Sequence, residues 1–273
     1  MLTKFKDFQQ KRMEIFRELI KRGWEEELSN KDLEELAQEI KEKYGYSQED
    51  ISFIKDHIRT ALGQDPTGEA DFSRKPLTAL NDEQTKPPIV TKIEGVCEEC
   101  GQKFEADSCQ ADCKYEAQMY RRSQGPVIVN NKCLSCGNCV TSCDFGALAD
   151  KIEFISFLKD LKDDDSRIYA TVAPSIAGQF GAEVSMGQLR TALKLLGFKD
   201  MIEVALFADI LTIREAFEFN NLVKAESDFF LTSCCCPVWI NLVKKNYPDL
   251  FANMSPSLSP MVASGRLLKE LYP

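Results

Sequence analysis

The first 63 residues carry apolar positions at helical spacing. Phe5, Phe8, Ile15, Phe16, Leu19 and Ile20 fall on one stripe, which predicts a helix over 5–25. A second helix is expected to start at Ser29 or Asn30, to bury Leu33, Leu36, Ala37 and Ile40, and to stop at Gly45. A third opens on Ser47-Gln-Glu-Asp50, a capping arrangement, and carries Ile51, Ile54, Ile58 and Leu62 to Gly63. Together they form an expected helical cap with no chemistry of its own. Residues 64–92 break the pattern with Pro66, Pro76, Pro87 and Pro88 among polar positions, and read as a linker. Residues 149–165 read as a charged connector with a short helix near 155–161 and a solvated acidic turn at 163–165.

From 167 onward short apolar runs alternate with helical stripes. Strands are expected at 168–172, 201–207 and 229–231, and helices at 186–196, 208–219, 238–245 and 258–271. Strands separated by helices pair in parallel through right-handed crossovers. Ligand sites in such sheets lie beyond the carboxyl ends of the strands. Ala173-Pro174-Ser175 and the stretch 232–236 occupy two such ends. The expected fold class is therefore multidomain α+β and α/β. It comprises a helical N-terminal region over 1–63, a linker over 64–92, a cysteine module over 93–155 and a parallel-sheet domain over 166–273.

Composition narrows the function. A chain of 273 residues with 44% hydrophobic and 28% charged positions has an ordinary globular profile. No apolar run approaches the roughly 18 residues of a transmembrane helix, and the first residues lack the apolar centre of an export signal. A net charge of −9 disfavours nucleic acid as a partner. With one histidine, His57, histidine-rich zinc sites and histidine-based triads are nearly excluded, and His57 reads as a packing or surface residue. Eleven cysteines without an export signal point to metal in a reducing, cytoplasmic setting rather than to disulfides.

The cysteines fall in three groups. Cys133-x2-Cys136-x2-Cys139-x3-Cys143 is a compact run whose turns can aim three sulfurs at one iron–sulfur cubane, while the fourth reaches a neighbouring cluster. The neighbour is Cys97-x2-Cys100-x8-Cys109-x3-Cys113, the same plan with a longer middle gap. The expected pairing puts Cys97, Cys100, Cys109 and Cys143 on one 4Fe–4S cluster, and Cys113, Cys133, Cys136 and Cys139 on the other. A zinc site remains the rival, most of all for Cys97-Glu-Glu-Cys100-Gly. The third group is the triplet Cys234-Cys235-Cys236 at a predicted strand end, where either packing of small apolar side chains or metal and redox use fits.

Residues 95–155 resemble bacterial two-cluster ferredoxin modules, with a strand at 127–129 before the run and Gly146-Ala-Leu148 after it. Asp144 stands where that family usually has proline, and its charge is expected to lower a nearby cluster's potential. Residues 168–271 resemble the first half of the catalytic domain of the FeFe (iron-only) hydrogenases. The resemblance is carried by Val172-Ala-Pro174-Ser175, Leu195-Leu-Gly-Phe198, Ala208-Asp209 with Thr212-Ile213, Thr232-Ser-Cys-Cys-Cys-Pro-x-Trp239, Asn253-Met-Ser255 and Ser259-Pro260. The triplet resembles the less-studied branches of that family.

The resemblance implies an iron–sulfur oxidoreductase that interconverts protons, electrons and H2. Electrons would come from a soluble ferredoxin or similar donor and pass through two 4Fe–4S clusters to the H-cluster, a cubane joined to a two-iron unit. Anchored on Pro237-x-Trp239, Cys236 matches the shared cubane ligand and Cys235 the proton-passing cysteine. Anchored on Thr232-Ser233, these roles move to 234 and 235. Glu215, Glu218 and Ser255 match the proton path, with an exposed helix face as the plainer reading for the two glutamates. Pro174 and Ser175 match the turn lining the two-iron pocket. The family's later cubane cysteines have no counterpart after Cys236, and Met261 replaces a common glutamine. This chain alone is therefore expected to be inactive, as the N-terminal part of a longer hydrogenase or one half of a split enzyme completed by another chain. A non-catalytic electron carrier or H2-sensing protein is the alternative.

Overall fold

The computed structural model describes residues 5–72, 88–96, 109, 112–121, 125–163, 165–226, 228–229 and 235–272. The chain divides into two compact units, with the boundary between Lys159 and Asp160.

In the first unit, α1 (Phe8–Glu25), α2 (Asn30–Tyr44) and α3 (Ile51–Ala61) form the predicted helical set. Ser29 caps α2 through a reciprocal box with Asp32, and Gly45 ends the helix in the left-handed conformation at φ +67°. The Ser47–Asp50 box also forms, but it opens one 3-10 turn at Gln48–Asp50 before α3 begins. Phe8, Ile15, Leu19, Leu36, Ile54 and Ile58 are fully buried. Each contributes about 1.5–3 kcal/mol by leaving water.

Four short strands follow. β1 (Val90–Lys92) pairs antiparallel with β4 (Leu148–Asp150), and β2 (Gln118–Arg121) with β3 (Gly125–Ile128). Between β3 and β4 lies α4 (Asn138–Thr141). The three helices share one core with this cysteine-bearing region, through Ile93, Val96, Ala149, Ile155 and Leu158. Arg12 of α1 reaches Asp150 of β4 at 2.5 Å, and Ile152 N donates to Thr60 O at 2.9 Å. The start of the expected linker is docked as well. Asp56 accepts from the amides of Thr67 at 2.9 Å and Gly68 at 3.0 Å, and Arg59 donates to Glu69 O at 3.1 Å.

His57 sits at the centre of this core, between the rings of Phe8 and Phe53. Neither ring nitrogen has a hydrogen-bond partner among the described residues, although the Gly146 backbone lies close to the ring. Burial, then the nearby Arg12 charge, hold its pKa well below the ordinary 6.5. The unfolded chain therefore takes up a proton at His57 before the folded chain does. Above about pH 6.5 the group is neutral in both states and has no effect. Below that, stability is expected to fall by up to about 1.4 kcal/mol per pH unit from this group. His57→Leu is expected to flatten that slope between pH 6.5 and 5 in urea melts. An unchanged slope would place the acid sensitivity elsewhere.

In the second unit, β5 (Tyr169–Val172) and β6 (Asp200–Glu203) pair in parallel with α6 (Met186–Leu195) between them, the expected crossover unit. The helix α5 (Leu158–Lys162) carries the boundary between the units. Ser185 caps α6 with Gln188. After α6 the chain turns at Gly197, φ +99°, where a Cβ would stand 2.4 Å from the carbonyl oxygen of Leu161, so only glycine fits. The second strand is shorter than predicted. It ends at Glu203, Val204 N closes the ladder on Val172 O at 2.9 Å, and α7 (Ala205–Leu222) begins at once. Residues 205–207, expected as strand, are therefore helical. The expected strand at 229–231 lies largely outside the described residues. The unit continues with α8 (Pro237–Asn246), a 3-10 segment at Pro248–Asn253 and α9 (Pro260–Leu271).

Apolar residues of α7 occur on every side of the helix rather than on one face, among Asp209, Arg214, Glu215 and Glu218. Here Leu206, Ile210, Ile213 and Phe217 are all exposed, and Phe207 is its buried residue.

Candidate functional site

The compact cysteine run is built by two left-handed residues. Lys132 N and Cys133 N both donate to Val129 O at 2.9 Å, which turns the chain out of β3. Ser135 then adopts φ +59° and Gly137 φ +82°, reversing the backbone twice within three residues. Leu134, just before them, is buried as an anchor. The Ser135 amide donates to Cys133 Sγ at 3.4 Å, and its hydroxyl accepts from Ile89 N at 3.2 Å. Gly137 leads into the single turn of α4, which carries Cys139.

These turns bring Cys133, Cys136 and Cys139 around one concavity. Cys113, from 20 residues earlier, lines the same space. The rest of the wall is apolar and compact: Val90, Ala117, Ile128 and Leu134, with Tyr115, Gly137 and Asn138. Of the four thiols, that of Cys136 is exposed. No three Cys, His, Asp or Glu side chains among the described residues converge closely enough for one metal ion. A cubane is larger than an ion and draws its thiolates around a cavity rather than to one point. Four thiols, a dry wall and an amide aimed at sulfur suit such a group.

Cys143 lies beyond this pocket, buried with Val90, Val140, Ala147 and Leu148, and Cys109 and Cys139 pack on the same cluster. Its loop is fixed from both sides. Phe8 N donates to Asp144 O and Ile93 N to Ala147 O, both at 2.9 Å. Gly146, φ +71°, has no room for a Cβ, which would stand 2.7 Å from Phe8 Cδ1 and 3.1 Å from His57 Nε2. Of the residues expected beside Cys109 and Cys143, Cys97 and Cys100 lie outside the described residues.

In the second unit, Pro174 and Ser175 form an exposed 3-10 turn at the carboxyl end of β5. Cys236 is the N-cap residue of α8 with Pro237 at its first position, and Cys235 and Cys236 are exposed. Cys234 lies outside the described residues. Thr171 Oγ1 donates to the sulfur of Met261 at 2.9 Å, and Asn253 Nδ2 to Phe229 O at 3.1 Å.

Glu218 and Ser255 meet. The Ser255 hydroxyl donates to Glu218 Oε2 at 3.1 Å, while Arg214 Nε holds Oε1 at 3.1 Å. Glu218 is 18% exposed, so it is not a free surface carboxylate. Glu215 lies one turn earlier on α7, half-buried. The sequence reading missed Ser257, whose hydroxyl lies 3.5 Å from the same Oε2.

The second unit matches a family model described as the iron only hydrogenase large subunit, C-terminal domain, over residues 166–273. This unit is similar to the C-terminal domain of the iron-only hydrogenase large subunit. Iron hydrogenase 1 of Clostridium pasteurianum is 27% identical over 218 residues, 74% of this chain and 37% of that protein. The NADP-reducing hydrogenase subunit HndD of Solidesulfovibrio fructosivorans is 25% identical over 158 residues, 53% of this chain and 27% of the relative. The periplasmic [Fe] hydrogenase large subunit of Nitratidesulfovibrio vulgaris is 30% identical over 120 residues, 41% and 28%. The chain thus spans between a quarter and two fifths of the length of these relatives. No helix among the described residues is long and apolar enough to cross a membrane.

The hydrogenase catalytic group includes a cubane, and a cubane takes four thiolates. Near α8 the chain offers one run of three adjacent cysteines, which cannot surround a cubane from all sides. These three adjacent cysteines by themselves do not supply that donor set.

Proposed function

We propose that this chain is the electron-relay and proton-delivery part of an FeFe hydrogenase. It would carry two 4Fe–4S clusters, one on Cys113, Cys133, Cys136 and Cys139 and the other on Cys97, Cys100, Cys109 and Cys143. The single observation that carries the reading is the apolar pocket ringed by the first four of these thiols. When bound, the clusters supply one-electron storage. The protein's part is to exclude water and to aim donors at sulfur, as Ser135 N does at Cys133. A soluble ferredoxin or similar carrier is the proposed donor.

The proposed proton path runs through Glu218, Ser255, Glu215 and Cys235. A carboxylate and a hydroxyl in hydrogen-bond contact can pass a proton by short hops, and the Ser255–Glu218 contact supports that assignment. The whole protein's proposed reaction is 2H⁺ + 2e⁻ ⇌ H2. The exposed apolar surface of α7 supports further polypeptide covering this unit, in the same chain or another.

Reductive titration tests the relay. Anaerobically reconstituted chain is expected to take up about two electrons per molecule, one per cluster, with loss of visible absorbance. Uptake of none would remove the relay.

A further inference from the structure

We infer that Ser257 is a positioning residue for the Glu218–Ser255 pair: it orients the Ser255 hydroxyl and offers the same carboxylate oxygen a second donor. This rests on the proton-path reading of Glu218 and Ser255 above.

The geometry is a closed ring. Ser255 Oγ donates to Glu218 Oε2 at 3.1 Å, the Ser257 amide donates to Ser255 Oγ at 3.1 Å, and Ser257 Oγ reaches Oε2 at 3.5 Å. Ser255 and Ser257 are both buried. Pro256 between them has no amide to compete and a fixed φ, so the turn is set before the contacts form.

A serine hydroxyl has one proton and two acceptor lone pairs. The Ser257 amide occupies one lone pair of Ser255 Oγ. The hydroxyl rotor is then held with its proton toward Glu218, and one lone pair stays open. When Glu218 is protonated, the hydroxyl turns its own proton away from Oε2 toward the next group of the proposed path, Glu215, and a lone pair of Oγ accepts the carboxyl proton as the hydroxyl proton leaves. One O–H bond forms as one breaks, and the serine ends unchanged. Without the Ser257 hydroxyl, Oε2 loses a donor and the ring that fixes the carboxylate opposite Ser255 opens, while the amide contact remains. A turn made only to shape the backbone needs the amide contact and nothing from the Ser257 side chain. Here the side chain points at the same oxygen.

Isotope-edited infrared spectroscopy of the chain itself reads this without any cofactor. Carboxyl-13C-glutamate protein is compared with its Glu218→Gln form, so that the difference isolates the Glu218 carboxylate band. Ser257→Ala is expected to shift that band, and Ser257→Thr, which keeps the hydroxyl, to restore it, with thermal melts confirming that each variant folds. In the complete, matured hydrogenase, Ser257→Ala is expected to lower turnover roughly tenfold and raise the solvent isotope effect, with Ser257→Thr near the parent. An unmoved band in Ser257→Ala, or no rescue by threonine, overturns the inference. So does a shifted band with unchanged turnover in an enzyme that Glu218→Gln inactivates. Full activity of Glu218→Gln would instead overturn the proton-path reading, a separate outcome from the infrared result.

Discussion

Cys139→Ala is expected to remove one of the two proposed clusters, taking iron from about eight to about four per chain and electron uptake from about two to about one. Cys139 enters the pocket from the first turn of α4, held by the left-handed Gly137. The neighbouring wall consists mainly of Val90, Ala117, Ile128 and Leu134, and none of these can replace a thiolate. A cubane with three ligands in a pocket that Cys136 leaves open to solvent is expected to be lost on exposure to a chelator. The second cluster should survive, because Cys143 and its loop are anchored separately through Asp144, Gly146 and Ala147. Iron analysis and the amplitude of the reduced-cluster EPR signal check this. Full iron content in Cys139→Ala would show that Cys139 is not a ligand.

Glu218→Gln in the complete hydrogenase is expected to cut hydrogen evolution from reduced methyl viologen by about 100-fold or more, with cluster content unchanged. The amide keeps an oxygen for Ser255 and Ser257 but cannot take up and release a proton at neutral pH. The Arg214 contact at Oε1 is a single i,i+4 pair whose arginine is exposed, so its weakening should not unfold α7. Near-normal evolution would mean that protons travel by another route.

The local rules of helix ends were legible in the sequence. Ser29 and Gly45 do in space what their residue types announce. The tight turns of the cysteine run were legible too, because they are local. What could not be read is where the helices of the first unit pack. Arg12 looks like a solvent-facing residue of α1, yet it is buried against Asp150, far along the chain. Nothing within α1 marks that partner. The pocket wall was equally silent, since Val90 and Ile128 come from strands too short to show a period. In the second unit, α7 started earlier than expected because an apolar run gives no phase by which to separate strand end from helix start. Ser257 was missed because one serine among several in 255–259 carries no signal until Glu218 is seen beside it.

Metal and acid-labile sulfide analysis of the anaerobically reconstituted chain is the most direct test of the pocket as a cluster site. The expected result is about eight irons and eight sulfides per chain, without stoichiometric zinc. Zinc bound without sulfide would contradict the account at its base.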